Sequence, residues 1–125
     1  MSADLRFGTS IMEKQTIPKM LRDSVRAFGD KVALREKDLG IWQNITWQLY
    51  YEKTKHFGLG LLTLGLQRKD KISILSENNP EWLYADIGSQ AMGAVVVGIY
   101  PTNVATQVEY IIGHSQSRFV VVGDQ

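Results

Sequence analysis

Three short apolar runs constrain this chain most: "KISILS" from Lys71, "AVVVGIY" from Ala94 and "RFVVVG" from Arg118. Each has strand length, and the stretches between them carry apolar residues at helical spacing. Leu83, Ile87 and Ala91 share one helix face in the first stretch; Val108, Ile111 and Ile112 share one in the second. A strand–helix–strand–helix–strand order implies right-handed crossovers and a parallel sheet covered by helices. "AVVVGIY" is apolar throughout, as expected of a strand buried on both faces.

Local punctuation agrees with this order. Asn79 reads as an N-cap, Pro80 as the first helical residue and Glu81 as an acid complementing the helix dipole. "YPT" from Tyr100 closes a strand, with Thr102 or Asn103 placed to cap the next helix. Upstream, "TIPKMLRDSVRAFGD" reads as a helix capped by Thr16 and ended by Gly29, with Met20, Leu21, Val25 and Phe28 on one side. Residues 32–36 and 41–45 read as a hairpin around "KDLG", with Gly40 supplying the turn angle. Thr46 opens a long helix in which Trp47, Tyr50, Thr54, Phe57, Leu61 and Leu64 recur on one face, and Gly65 ends it. Residues 1–15 read as a flexible arm. The expected fold is α/β: an N-terminal hairpin and helices leading into the strand-helix-strand-helix-strand of a parallel, helix-covered sheet.

With 125 residues the chain suits one domain or part of a larger one. Fourteen Lys and Arg stand against 13 Asp and Glu, interspersed, which leaves no basic footprint for nucleic acid. The absence of cysteine excludes disulfides, thiolate zinc sites and a thiol nucleophile. The first fifteen residues carry Asp4 and Glu13 and no long apolar run, unlike a secretory leader. Apolar runs stay far below the ~20 residues that span a bilayer. A cytoplasmic protein is expected.

In open α/β sheets, ligands sit beyond the carboxyl ends of the strands. Here those ends are "SENNPEW", "IYPTN" and "GDQ". No Walker-type loop occurs, and the glycines from Gly58 to Gly65 lie inside a helical pattern, which points to helix packing. His56 lies mid-helix between lysines and His114 near a helix C-terminus; neither has a ligand partner at metal spacing, and both read as structural. Glu77, Glu81 and Asp86 read as capping and surface acids rather than a catalytic pair. "SENNPEW" remains open as a cleft wall beside its capping role. Trp42, Trp47, Tyr50 and Tyr51 follow strand and helix periods, so core packing is favoured over a nucleic-acid stacking platform. No catalytic, cofactor-binding or metal residue is assigned.

The stretches "GDKVAL", "NNPEW", "GAVVVGIYPT" and "VEYII", in this order, resemble the start of AMP-forming acyl-CoA synthetases. The "GIYPTN" version is most similar to long-chain fatty acid–CoA ligases. The resemblance covers residues 16–125 and implies the N-terminal portion of the large AMP-binding (adenylation) domain, truncated. For the parent it implies ATP, Mg²⁺ and CoA, a fatty acid substrate, and a reaction through an acyl-adenylate that releases pyrophosphate and AMP. The phosphate loop, adenine motif, ribose-binding Asp and catalytic Lys of that family lie further along its chains and have no match in this sequence. The fragment alone is therefore expected to bind none of these cofactors and to be inactive. One departure is local: the family's usual Ser or Thr, Pro, Glu after "YPTN" is Val104, Ala105 and Thr106 here, and valine cannot cap.

Three readings stay open at this point. The chain is an N-terminal fragment of a fatty acyl-CoA ligase, whose partners are the remainder of the ligase chain and, in the parent, fatty acid, ATP and CoA. Alternatively, it is a non-enzymatic interaction or assembly module that pairs, with itself or another chain, through an exposed sheet edge. A free-standing nucleotide-binding α/β module is the third. For the parent, a location peripheral to the inner membrane face is a further expectation.

Overall fold

The structure, a computed structural model, describes residues 15–123. Nearly all of the expected arm, and the last two residues of "GDQ", lie outside them. Among the described residues nine elements follow in order: α1 (Ile17–Phe28), β1 (Val32–Asp38), β2 (Ile41–Thr46), α2 (Trp47–Thr63), β3 (Lys71–Leu75), α3 (Pro80–Ala91), β4 (Val95–Ile99), α4 (Ala105–Ser115) and β5 (Phe119–Val122).

The helix starts follow the capping chemistry. The Thr16 hydroxyl accepts from Lys19 N at 3.3 Å, Thr46 from Leu49 N at 3.1 Å, and Asn79 Oδ1 from Trp82 N at 3.0 Å. Helix α4 lacks such a bond at Val104. Instead Val104 N–H donates to Gln107 Oε1 at 3.2 Å, half of a capping box.

β1 and β2 form an antiparallel hairpin, and β3, β4 and β5 a parallel sheet in the order β4-β3-β5. Ile72, Ile74, Phe119, Val121 and Val96 point to one face and meet Phe57 and Leu61 of α2 and Trp82 and Ala85 of α3. On the other face Ser73 Oγ lies 2.5 Å from Ser117 Oγ, just past α4. The two crossovers thus run on opposite faces, as right-handed connections leading to opposite sides of β3 must. A second cluster, Leu21, Ile45, Tyr50 and Ile87 with Trp47, Leu83 and Tyr84, joins the hairpin and α1 to the helix layer.

Several sequence expectations give way here. Met20 and Phe28 are exposed, since α1 buries only Leu21. Leu64 is exposed because α2 ends at Thr63. Gly65, at φ +93°, reverses the chain, and Leu66 N–H returns to Leu61 O, so Leu66 takes the core position. Ala91 faces solvent; α3 instead packs through Ala85, Ile87, Gly88 and Ser89. Trp42 is not core but 61% exposed; it only borders the open cavity between β1 and the start of α3. β4 is parallel as expected, yet it is an edge among the described strands, and Val95 is half exposed.

The strand-end groove as candidate functional site

The first strand of the sheet, β3, is central, with β4 added on one side and β5 on the other. In open α/β sheets ligands sit beyond the carboxyl ends of the strands, and β3 and β5 are neighbours whose carboxyl ends lie together. There the two strand ends approach closely. Gly123 N–H donates to Leu75 O at 2.9 Å, and a Cβ on Gly123 would collide with the Ser76 side chain. Only glycine leaves room for that approach.

A groove of about 570 Å³ opens at this point. Ile74, Val121, Phe57 and Ala85 supply its apolar surface, and Lys53, His56 and Glu81 stand around it. A second cavity, about 590 Å³, lies between β1 and the start of α3, bordered by Leu34, Trp42, Asn79, Pro80 and Leu83. Trp82 lines both. "SENNPEW" therefore caps α3 and also walls both cavities, so the two roles weighed for it coexist.

The other candidates are placed as follows. Gly58 lies in the contact between α2 and α3, as the packing reading requires. His56 borders the groove, a position its mid-helix spacing did not reveal. The His114 ring stacks on Tyr110 at 5.3 Å between centroids. Asp86 accepts from Gln90 Nε2 at 2.8 Å along α3. Trp47, Tyr50 and Tyr84 form a chain of aromatic contacts, at 6.2 and 5.7 Å between centroids.

Two phenols are shifted by their surroundings. Burial pushes the Tyr50 phenol up to about 12, with Asp86 and then Tyr84 adding to the shift. Burial also raises the Tyr84 phenol, with Glu81 and Glu36 contributing. Both hydroxyls stay neutral and act as packing groups. Among the described residues no group of three His, Cys, Asp or Glu is placed to hold a metal ion. Left-handed glycines Gly40, Gly65 and Gly93 sit in turns, not in a loop leading from a strand into a helix N-terminus, where phosphate would be held.

Comparison with known proteins adds what the groove lacks. The family described as AMP-binding enzyme matches residues 21–125. Long-chain-fatty-acid–CoA ligase ACSBG2 of Xenopus laevis is 34% identical over 110 residues, 88% of this chain and 15% of that protein. Its human counterpart is 36% identical over 107 residues, 86% of this chain and 16% of that protein. The Drosophila melanogaster ligase heimdall is 34% identical over 114 residues, 88% of this chain and 17% of that protein. The chain thus spans about a sixth of the length of these relatives. Among solved structures, the inhibitor-bound N-terminal domain of FACL13 from Mycobacterium tuberculosis superposes with a TM-score of 0.81 at 25% identity, over 87% of this chain and 27% of that one. The N-terminal subdomain of NpsA from Klebsiella oxytoca, bound to 3-hydroxyanthranilyl-AMSN, superposes at 0.80 with 20% identity, over 88% of this chain and 27% of that one. The matched residues, the parallel α/β sheet and these relatives together establish that the chain belongs to the AMP-binding enzyme family.

Proposed function

We propose that this chain is the N-terminal scaffold of a long-chain fatty acid–CoA ligase, and that the parent joins a fatty acid to CoA through an acyl-adenylate at the expense of ATP. The observation that carries this reading is the family match over residues 21–125 together with relatives that are long-chain ligases. In the parent, ATP, Mg²⁺ and CoA are the cofactors, and the protein works in the cytoplasm.

The described residues do not fit the phosphates or the metal: they offer neither a glycine-lined anion loop nor a carboxylate cluster. No chemical step is assigned to them. Their contribution is geometric: α2 and α3 hold the ends of β3 and β5 open as one wall of a cleft that other sequence completes. The chain alone is then catalytically silent. Supplied with ATP, Mg²⁺, CoA and a long-chain acid, it should release pyrophosphate no faster than buffer, whereas the polypeptide extended in frame through its coding sequence should form acyl-CoA. Turnover by the 125-residue chain would overturn the scaffold reading; an extended, folded and inactive product would overturn the ligase reading.

A second reading has its own observation. β4 and β5 are both edges among the described strands, and Val95, Val120 and Val122 are 49%, 42% and 66% exposed. Such edges invite strand addition. Sedimentation over a range of concentrations tests self-pairing; a monomer throughout would sink it.

A further inference from the structure

β4 is the least guarded edge of the parallel sheet. It lies outermost beside β3 among the described strands. Open sheet edges are usually protected by charge, above all by lysine. Residues 87–108 contain no Asp, Glu, Lys or Arg, and that stretch includes all of β4 and both its flanks. The opposite edge strand, β5, is shorter and begins directly after Arg118. At the start of β4, Val95 stands half-exposed.

Backbone bonding shows which groups of β4 face outward. Val95 N–H donates to Asp70 O at 2.8 Å, on the β3 side. Successive strand residues turn their backbone groups to alternate sides. Val97 and Ile99 therefore also face β3, while Val96 and Gly98 turn their N–H and C=O to the open edge. Beside that edge lies a depression of about 420 Å³, bordered by Trp82, Asp86, Gln90, Ala94, Val96 and Gly98. A Cβ on Gly98 would stand 3.6 Å from Trp82 Cζ2. With no side chain there, a hollow is left over the indole.

We infer that β4 pairs antiparallel with the β4 of a second copy of this chain. This rests on the edge-pairing reading above and gives it a strand, a partner and a register. Antiparallel strands exchange hydrogen bonds only where outward-facing residues oppose each other. Among such registers, the one centred on Val97 pairs β4 over its whole length. Centring on Val96 or Gly98 instead leaves residues over at one end of each strand. The Val97 register sets Val96 of each copy opposite Gly98 of the other, so that each valine fills the hollow over Trp82. It also sets Val95 against Ile99, a β-branched cross-strand pair. A two-fold axis closes this contact at a dimer. Adding β4 to the β5 of another copy would instead bring Arg118 to the uncharged edge and leave further edges open. An unrelated strand finds the same backbone groups, but the fit of Val96 to Gly98 belongs to this sequence.

Sedimentation of the 125-residue protein over a range of concentrations should show a monomer–dimer equilibrium. Gly98→Pro deletes an outward N–H, and proline is tolerated on open edges, so it should weaken dimerisation at least roughly tenfold. Val122→Lys, on the β5 edge, should leave dimerisation unchanged. Val97→Cys tests the register independently of how well the proline variant folds. The chain has no other cysteine. Opposed residues of a non-hydrogen-bonded antiparallel pair stand about 4.5 Å apart between Cα atoms, within disulfide reach. Mild oxidation should link Val97→Cys into covalent dimers and should link Gly98→Cys far less. A monomer at every concentration would overturn edge pairing altogether. A dimer that survives Gly98→Pro, that Val97→Cys fails to crosslink, or that Val122→Lys disperses would overturn the β4 contact while leaving self-pairing through another edge in place.

Discussion

Gly88 lies directly against the backbone of Thr54: a Cβ on Gly88 would stand 2.7 Å from the Thr54 carbonyl oxygen, and one on Gly58 would stand 2.9 Å from the carbonyl oxygen of Gly88. Helices α2 and α3 cross here with no side chain between them. That close approach brings the ends of β3 and α3 against α2, where the groove forms.

Gly88→Ala should therefore destabilise the fold by about 1–3 kcal/mol, because the clash is with backbone that cannot rotate away. Gly60 is the control. It lies in α2, two residues from Gly58, and a methyl group added there would meet nothing within 4 Å. Gly60→Ala should stabilise by about 0.5–1 kcal/mol through helix propensity alone. Urea denaturation of both variants checks the pair; equal effects of the same sign would refute the packing account.

Capping predicts a second contrast. Asn79→Ala removes the acceptor for Trp82 N–H and should lose about 1 kcal/mol. Val104→Ser supplies an acceptor that α4 lacks, at extended backbone angles of φ −73° and ψ 159°, and should gain about as much. Thermal unfolding followed by circular dichroism reads both shifts.

Acid sensitivity should involve Asp70. A hydrogen bond from Gln67 N–H at 2.7 Å holds its carboxyl below the usual carboxylate range, and Arg118, with Nη1 2.8 Å from Oδ2, adds to this. Because the folded pKa is depressed, the contribution is present above the ordinary value of about 4 and is lost as pH falls through the folded value. Asp70→Asn should flatten the acid limb of the stability profile and leave its alkaline limb unchanged.

At the alkaline end the relevant group is Tyr50. Its folded pKa near 12 exceeds the ordinary 10, so stability is level below pH 10 and falls between 10 and 12, where the unfolded phenol ionises first. Tyr50→Phe should remove that part of the fall. Ultraviolet titration of the tyrosinates checks the assignment: the phenol that Tyr50→Phe removes should ionise late in the native protein and at the ordinary pH in denaturant.

The sequence alone determined the elements and their order. Asn79-Pro80-Glu81 marked a helix start, Gly40 and Gly65 marked turns, and three valine- and isoleucine-rich runs marked strands, because capping and periodicity act over a few residues. The family was legible too, in phrases such as "NNPEW" and "GAVVVGIYPT". Tertiary structure decided what lies beyond that range. Trp42 and Trp47 share a type and lie five positions apart, yet Trp47 packs against Tyr50 while Trp42 stands in solvent. Periodicity places a side chain on a face; only the presence or absence of another layer buries it. Likewise, a crossover helix is long enough to reach either neighbour of a strand, so the spacing of the three runs could not show that β5 returns beside β3. That return brings Gly123 against Ser76 and opens the groove that His56 and Trp82 border.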